Sequence, residues 1–564
     1  MTQLRPEVAR AFATPEYDVL VIGGGINGLA AFRDLALQGV RVLLVERDDL
    51  GSGASAASSH MIHGGVRYLE NGEFRLVRES VQERNRLLRN APHHVVPLRT
   101  TIPITTLFSG LLAAPLRFLL HRQLKPKARG ALLIKIGLTL YDTFSRDGGS
   151  VPRHRFHGRT RSRAQLPELA PGFRYTATYY DASLRDPERL ALDVMLDGEA
   201  AGDGRALALT YVEAVGADDR GVVVRDRESG TEQTVVARVV INASGPWTDL
   251  TNEALGTPTR LMGGTKGAHI VLDNERLLAA TGGREIFFEH DDGRIVLVYP
   301  FKGRVLVGTT DLEADPREPA VCTEEEVDYF FDLVKQVFPG VPVDRSQIVY
   351  RYAGIRPLPR HDDLAPGFVS RDYRIVAAPG PGGATRLDLV GGKWTTFRAL
   401  GAHLASRALE LLGRARSVST ETLAIGGGRD FPADVDAWIA RELPGVAPAR
   451  AAVLVERYGT VAREVAAFLA AGVDAPVVGD RLSTRELVWM VERERVAHLS
   501  DVLLRRTDLA FTGAIGGDVV ETVADALAEA AGWDAARWDA EVAATREELA
   551  TFHGIPAPNA DATL

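Results

Sequence analysis

Residues 17–46 read as a strand, a glycine loop, a helix and a second strand, and few folds accommodate that order. The apolar run Val19-Leu20-Val21-Ile22 leads into Gly23-Gly24-Gly25-Ile26-Asn27-Gly28, and a helix-like stretch follows over residues 29–37. A second apolar strand, Val42-Leu43-Leu44-Val45, ends on Glu46. Gly23 permits the tight turn, Gly25 lets the backbone approach a pyrophosphate, and Gly28 allows close packing of helix on strand. The helix N-terminus offers N–H groups and a partial positive charge to phosphates. Glu46 can accept a hydrogen bond from a ribose 2′-OH and would repel a 2′-phosphate. A glycine triplet alone is weak, but here every part falls in register. Dinucleotide binding is therefore expected at Gly23, Gly25, Ile26, Asn27, Gly28, Glu46 and the adjacent Arg47.

The chain has 564 residues, enough for roughly two to four domains. Its 45% hydrophobic and 25% charged content is that of an ordinary globular protein. A net charge of −8 argues against nucleic-acid binding. With Cys322 as the sole cysteine, no internal disulfide, CxxC pair or cysteine-rich zinc site can form, which fits a reducing cytoplasm. Arg5, Glu7, Arg10 and Glu16 interrupt the first residues, so no export signal is expected. No apolar run suffices to span a bilayer, and the longest, residues 107–120, is broken by Pro115 and Arg117.

Residues 84–141 contain no Asp or Glu and ten Lys or Arg. Apolar stretches at 107–120 and 131–141 flank a basic segment at 121–129. Two readings stand: docking on anionic lipid headgroups, or a buried helical insertion with solvated cations.

Farther along, residues 48–59 are rich in Gly, Ser and Ala, where backbone can lie against a cofactor. The spacing of Phe74, Val77, Val81 and Leu87-Leu88 predicts a helix over 71–90. Residues 206–236 alternate like a β-meander, and Val239-Val240-Ile241 continues into Asn242-Ala243-Ser244-Gly245-Pro246-Trp247. Strands at 269–272, 294–299 and 304–307 suggest an antiparallel sheet. Leu387-Asp388-Leu389-Val390, two glycines and a helix from Lys393 form a late strand–turn–helix junction. The expected class is α/β plus α. A discontinuous Rossmann-like domain takes 1–100, 180–262 and 350–412, a substrate domain takes 101–179 and 263–349, and a helical C-terminal domain takes 413–564. The last dozen residues read as a frayed tail.

Four strings carry the chemistry. They are Ser58-Ser59-His60-Met61-Ile62-His63-Gly64-Gly65-Val66-Arg67-Tyr68-Leu69-Glu70, Gly308-Thr309-Thr310-Asp311, Gly354-Ile355-Arg356-Pro357-Leu358 and Gly391-Gly392-Lys393-Trp394-Thr395-Thr396. With them the chain resembles the FAD-dependent glycerol-3-phosphate dehydrogenase family, within the D-amino-acid-oxidase-like flavoproteins, from residue 17 to about 526. It departs from the family at His60, often Lys, and at Ser244, often Thr.

The resemblance implies FAD and the oxidation of sn-glycerol 3-phosphate to dihydroxyacetone phosphate. Hydride passes from C2 to flavin N5, and electrons go on to a membrane quinone. A phosphate dianion needs cations, and Arg67, Arg356 and Lys393 are the candidates. His63 is the candidate base for the C2 hydroxyl proton. Tyr68 would wall the substrate, and Thr310 with Asp311 would order the site. Ser58, Ser59, Gly245, Trp247, Lys393, Trp394 and Thr395 are expected at the cofactor, with the Lys393 helix start aimed at the flavin N1–C2=O edge.

Plainer roles stand beside these: Arg67 bridging Glu70, Arg356 shaping a bend, His63 merely hydrogen-bonded, Thr310 closing a turn. Arg505-Arg506 reads as an interface clamp, His269 as a core or wall residue, and no spacing indicates a metal site. An oxygen-using glycerol-3-phosphate oxidase, an amino-acid or sarcosine-type oxidase, and a catalytically silent flavoprotein sensor remain alternatives. Oligomeric state is open, a homodimer included. The expected location is cytoplasmic, peripheral to the inner face of the cell membrane.

Overall fold

The computed structural model describes residues 4–65, 74–106, 138–139, 141–142, 151–289, 295–360 and 372–556. Two large sheets organise them. In the first, the strand order is Arg374–Pro379, Thr385–Val390, Glu232–Asn242, Glu16–Ile22, Val42–Val45, Ala206–Leu209. Its ladders are parallel except at the Arg374–Pro379 edge. Alternate residues serve opposite faces. Val19 and Val21 pack under the helices Ile26–Leu37, Pro187–Gly202 and Phe397–Leu412, together with Leu29, Phe32 and Leu404. Leu20 and Ile22 face the other way, toward Val8, Val222 and Val224. Burial on both faces explains why Glu16–Ile22 shows a continuous apolar run. The expected meander is present as Val212–Ala217, Val222–Asp226 and Glu232–Asn242, antiparallel throughout.

The second sheet runs Leu312–Glu313, Met262–Leu272, Arg304–Gly308, Ile295–Phe301, Glu285–Glu289, Val95–Ile104, Tyr175–Leu184, Met61–Ile62. Ile348–Pro359 pairs along Met262–Leu272. Every ladder is antiparallel except Glu285–Glu289 on Val95–Ile104. Ile270, Val298 and Val307 pack toward the Glu324–Val337 helix. Val271, Leu297, Tyr299 and Leu306 face the opposite way and join Leu454, Leu487, Met490, Val502 and Leu527 of the C-terminal helices. That helical region therefore shares one core with the sheet.

Three expected boundaries need correction. Val95–Ile104 and Tyr175–Leu184 run straight across the breaks placed at 100 and 179, and Ile348–Pro359 belongs to the second sheet. Strand register decides them, since paired strands cannot be divided between two sheets. The predicted helix over 71–90 is observed as Phe74–Asn90, and the terminal helix Ala535–His553 ends where the expected tail begins. The centre of the basic run, residues 107–137, lies outside the described residues, as do the residues from 557 onward. Arg84, the first cation of that run, is fully buried against Asp181 and does not contribute to a charged surface.

The C-terminal region is held to the first sheet by a buried ionic clamp. Asp49, just beyond Glu46, accepts from Arg505 Nε at 2.7 Å and from Arg506 at 2.7 and 2.9 Å. Both arginines lie on the π-helical turn Asp501–Arg506, where Asp501 also accepts from the Tyr211 hydroxyl at 2.6 Å. The sequence reading of Arg505-Arg506 as an interface clamp matches this arrangement. Removing one partner of a buried ion network strands the others in low dielectric, at a cost of about 3–5 kcal/mol. Asp49→Ala is therefore expected to lower unfolding stability by about 3–5 kcal/mol in chemical denaturation. A loss within about 0.5 kcal/mol, the range of ordinary surface changes, would contradict the clamp.

A second contact at this junction is pH-dependent. His498 sits between Glu228 at 3.2 Å and Glu541 at 2.8 Å. Burial pushes its pKa down, but the two carboxylates more than reverse this and raise it to about 10. A folded pKa above the unfolded value gives stability that is complete below the unfolded pKa, near 6.5, and fades as pH rises through about 10. Thermal melts of wild type should fall across that window more steeply than those of His498→Gln, and parallel curves would remove His498 as the cause.

Candidate active site

The glycine loop has the backbone its sequence demands. Gly23 has φ +109°, and a Cβ there would lie 2.7 Å from the Ala243 carbonyl oxygen. A Cβ on Gly28 would fall 2.0 Å from Gly23 O. The Ile26–Leu37 helix starts at Gly25 with no side-chain cap, and Ile26 N donates to Ser55 Oγ at 3.1 Å. Glu46 accepts from Gly24 N at 2.6 Å and Asp48 N at 3.0 Å. Burial raises its carboxyl pKa to about 7 against the pull of those N–H donors, so further hydroxyl donors such as a ribose diol would favour the ionised form.

Arg47 stacks 4.7 Å over the Trp247 ring, whose indole N–H donates to Pro316 O at 2.9 Å. Gly245, at φ +62°, turns the chain into Trp247. Across the loop, a Cβ on Gly392 would meet Asn27 Nδ2 at 2.4 Å, and Asn27 Oδ1 is a buried acceptor with no hydrogen-bond partner among the described residues. A bare helix start, close-approach glycines, an acid and an unsatisfied amide oxygen suit FAD, whose phosphates and ribose supply what they lack.

The segment 58–63 crosses from this loop to the second sheet. Ser58 O accepts from the Tyr352 hydroxyl at 2.7 Å, and Ser59 Oγ pairs with His269 Nε2 at 2.9 Å. His269 stacks on Tyr352 with ring centroids 4.8 Å apart and is buried, the core side of the core-or-wall expectation. His60 is caged by Phe301, Tyr352 and Phe511, and burial lowers its pKa to about 4. At neutral pH it therefore places no charge where the family often has Lys.

His63 closes the segment. Its Nδ1 lies 2.7 Å from Asp181 Oδ2, and the ring stacks near Phe287 at 5.8 Å. Asp181, fully buried on Tyr175–Leu184, also accepts from Gly64 N at 2.9 Å, Tyr141 OH at 2.5 Å and Arg84 at 3.3 Å. Burial would raise its pKa, but His63, Arg84 and Tyr141 together hold it well below the usual carboxylate range. Asp181 thus stays ionised and fixes the imidazole. Sequence motifs did not show this residue. The signal available was an acid inside an otherwise apolar and aromatic strand, Thr178-Tyr179-Tyr180-Asp181-Ala182.

The Lys393 turn meets His63 directly, since Thr395 Oγ1 donates to His63 O at 3.2 Å. Trp394 donates to Ser55 O at 2.9 Å and its ring is part of the core, so it braces the loop. Lys393 is near enough to act on the Glu79 carboxyl. Arg356 donates to Asp311 at 3.0 Å and to Thr309 Oγ1 and Thr310 O at 2.9 Å each. Gly267 makes room for it, because a Cβ there would lie 2.0 Å from the guanidinium. Thr310 holds Arg356 through its carbonyl, while its side chain is turned inward. Its hydroxyl donates to Glu326 Oε1 at 2.6 Å, accepts from Ala268 N and is 1% exposed, so it braces the sheet and cannot touch substrate. Arg67 and Tyr68 lie outside the described residues.

Comparison with known proteins agrees with this geometry. The family described as FAD dependent oxidoreductase matches residues 18–398, and the C-terminal domain of alpha-glycerophosphate oxidase matches 418–538. A glycerol-3-phosphate dehydrogenase from Synechocystis sp. is 32% identical, covering 93% of this chain and 95% of that protein. A D-erythritol 1-phosphate dehydrogenase from Brucella abortus is also 32% identical, covering 88% of this chain and 95% of its own length. In structure, the glycerol-3-phosphate dehydrogenase from Bacillus halodurans complexed with FAD shares the fold, with a TM-score of 0.73, 23% identity and 95% coverage of each chain. The chain accordingly belongs to the FAD-dependent glycerol-3-phosphate dehydrogenase family, an oxidoreductase of the D-amino-acid-oxidase-like fold with FAD as cofactor.

Proposed function

We propose that this enzyme oxidises sn-glycerol 3-phosphate at C2 to dihydroxyacetone phosphate and delivers the electrons to a membrane quinone. The observation that carries the reading is the His63–Asp181 pair, tied through Thr395 to the turn that opens the Phe397–Leu412 helix. Bound FAD supplies the hydride acceptor, at flavin N5. The protein supplies the base and the charges. His63 Nδ1 is engaged by Asp181, so the C2 hydroxyl proton is assigned to Nε2. Arg356 and Lys393, with Arg67 from the family resemblance, balance the phosphate dianion, Arg356 from a guanidinium already oriented by Asp311 and Thr309.

Among the described residues no helix is long and apolar enough to cross a membrane. Delivery to a quinone from the cytoplasmic face would then use the acid-free basic run of residues 84–141 for contact with anionic lipid.

An anaerobic titration of the FAD-loaded protein tests the substrate. Addition of sn-glycerol 3-phosphate should bleach the visible flavin band, and a soluble quinone should restore it faster than oxygen does. Bleaching by erythritol 1-phosphate alone would transfer the assignment to a longer polyol phosphate, and faster reoxidation by oxygen would favour an oxidase.

Substitutions separate the roles. Arg356→Ala should raise KM roughly 10- to 150-fold, the equivalent of about 1.5–3 kcal/mol for a charged hydrogen bond, with FAD retained. Asp181→Asn should leave KM near wild type and lower kcat by ~10²-fold or more, as expected when a general base loses its orientation. An unchanged kcat in that variant would exclude His63 as the base that Asp181 positions.

A further inference from the structure

Away from this site, three metal-binding side chains meet inside the protein. His93 and His94 follow the Phe74–Asn90 helix, and Asp193 projects from the Pro187–Gly202 helix. His93 Nε2 lies 2.9 Å and His94 Nε2 3.6 Å from the same oxygen, Asp193 Oδ2. The two imidazoles are 4.0 Å apart between centroids, and all three residues are buried. His93 Nδ1 and both ring nitrogens of His94 have no hydrogen-bond partner among the described residues.

Folded interiors seldom leave imidazole nitrogens unsatisfied, because each forfeits its hydration without replacement. Hydrogen bonding with Asp193 accounts for His93 Nε2 only, since 3.6 Å is too long for His94 Nε2. A shared cation accounts for both. Ligand bonds of ~2.0–2.1 Å at tetrahedral angles put neighbouring donor atoms ~3.3 Å apart, between the two observed separations. The surroundings also favour the carboxylate. A Cβ on Gly426 would fall 2.2 Å from Asp193 Oδ2, so only glycine lets the turn Gly426–Gly428 close over it. Phe431 stacks on His93 from the same linker.

We propose that His93, His94 and Asp193 bind a divalent d-block cation of the zinc class, which staples the segment after the Phe74–Asn90 helix to the Pro187–Gly202 helix. The two imidazoles are borderline ligands, and with one carboxylate they suit zinc over calcium or magnesium. No sequence spacing points to such a site because Asp193 is 100 positions from His93.

The test uses untagged, full-length, FAD-loaded protein stripped with dipicolinate and dialysed. Zinc titrated back should bind at about one equivalent per chain and raise the melting temperature, and cobalt should give intense low-coordinate ligand-field bands. His94→Asn and Asp193→Asn should each weaken zinc more than ~100-fold, beyond the loss typical of outer-shell changes, with flavin content unchanged. Zinc binding equal in both variants would overturn the proposal. If the variants do not fold, the wild-type cobalt spectrum decides alone: low-coordinate bands support the site, and a spectrum like the hexaaqua ion overturns it.

Discussion

The ionic clamp on Asp49 is the contact on which the rest of the arrangement depends. It joins the loop that follows the cofactor acid Glu46 to the π-helical turn Asp501–Arg506, more than 450 positions away. From that turn, Val502 and Leu503 enter the core that covers one face of the second sheet. A single carboxylate thus couples the nucleotide-binding sheet, the C-terminal helices and, through them, the sheet that carries Arg356. Hydrophobic burial holds these layers together, but it is non-directional and would tolerate sliding. Charge pairs with bidentate geometry do not.

The same device recurs wherever layers meet. Arg189 pairs with Glu494 at 2.5 Å, and Lys302 with Asp186 at 2.6 Å and Asp508 at 3.2 Å. Within the helical region Glu486 gathers Arg450, Arg457 and the Tyr458 hydroxyl. Buried ion pairs contribute little net stability, because desolvation offsets attraction, yet any other docking would leave these charges unmatched. In this chain they define relative placement more than they add stability.

Local chemistry was legible in the sequence, and long-range pairing was not. Gly23 and Gly28 announce their backbone roles because the glycine loop is built from neighbours, and the strand periods of 269–272 and 304–307 survive as real strands. His63 was readable as a base candidate, but its partner Asp181 lies 118 positions away and no motif links them. The inward partner of Thr310 was hidden for the same reason: Glu326, sixteen positions on, takes its hydroxyl, while its carbonyl holds Arg356. Domain boundaries failed where a strand such as Val95–Ile104 runs through an expected break without pausing.

The geometry also explains why the segment 58–63 needs so many restraints. The cofactor is bound by the first sheet, while His63 hangs from the second through Asp181, and Met61–Ile62 pairs with Ala182 and Ser183 on the strand that carries Asp181. Under the proposed function the base and the hydride acceptor would be set by different layers, and a misplacement of about 1 Å between them can cost ~10²-fold in rate. The Tyr352 hydroxyl on Ser58, His269 on Ser59, the aromatic cage around His60 and Thr395 on His63 fix this crossing residue by residue. Catalytic precision in such a fold depends on how rigidly the crossing segment is tied to both sheets, more than on either sheet alone.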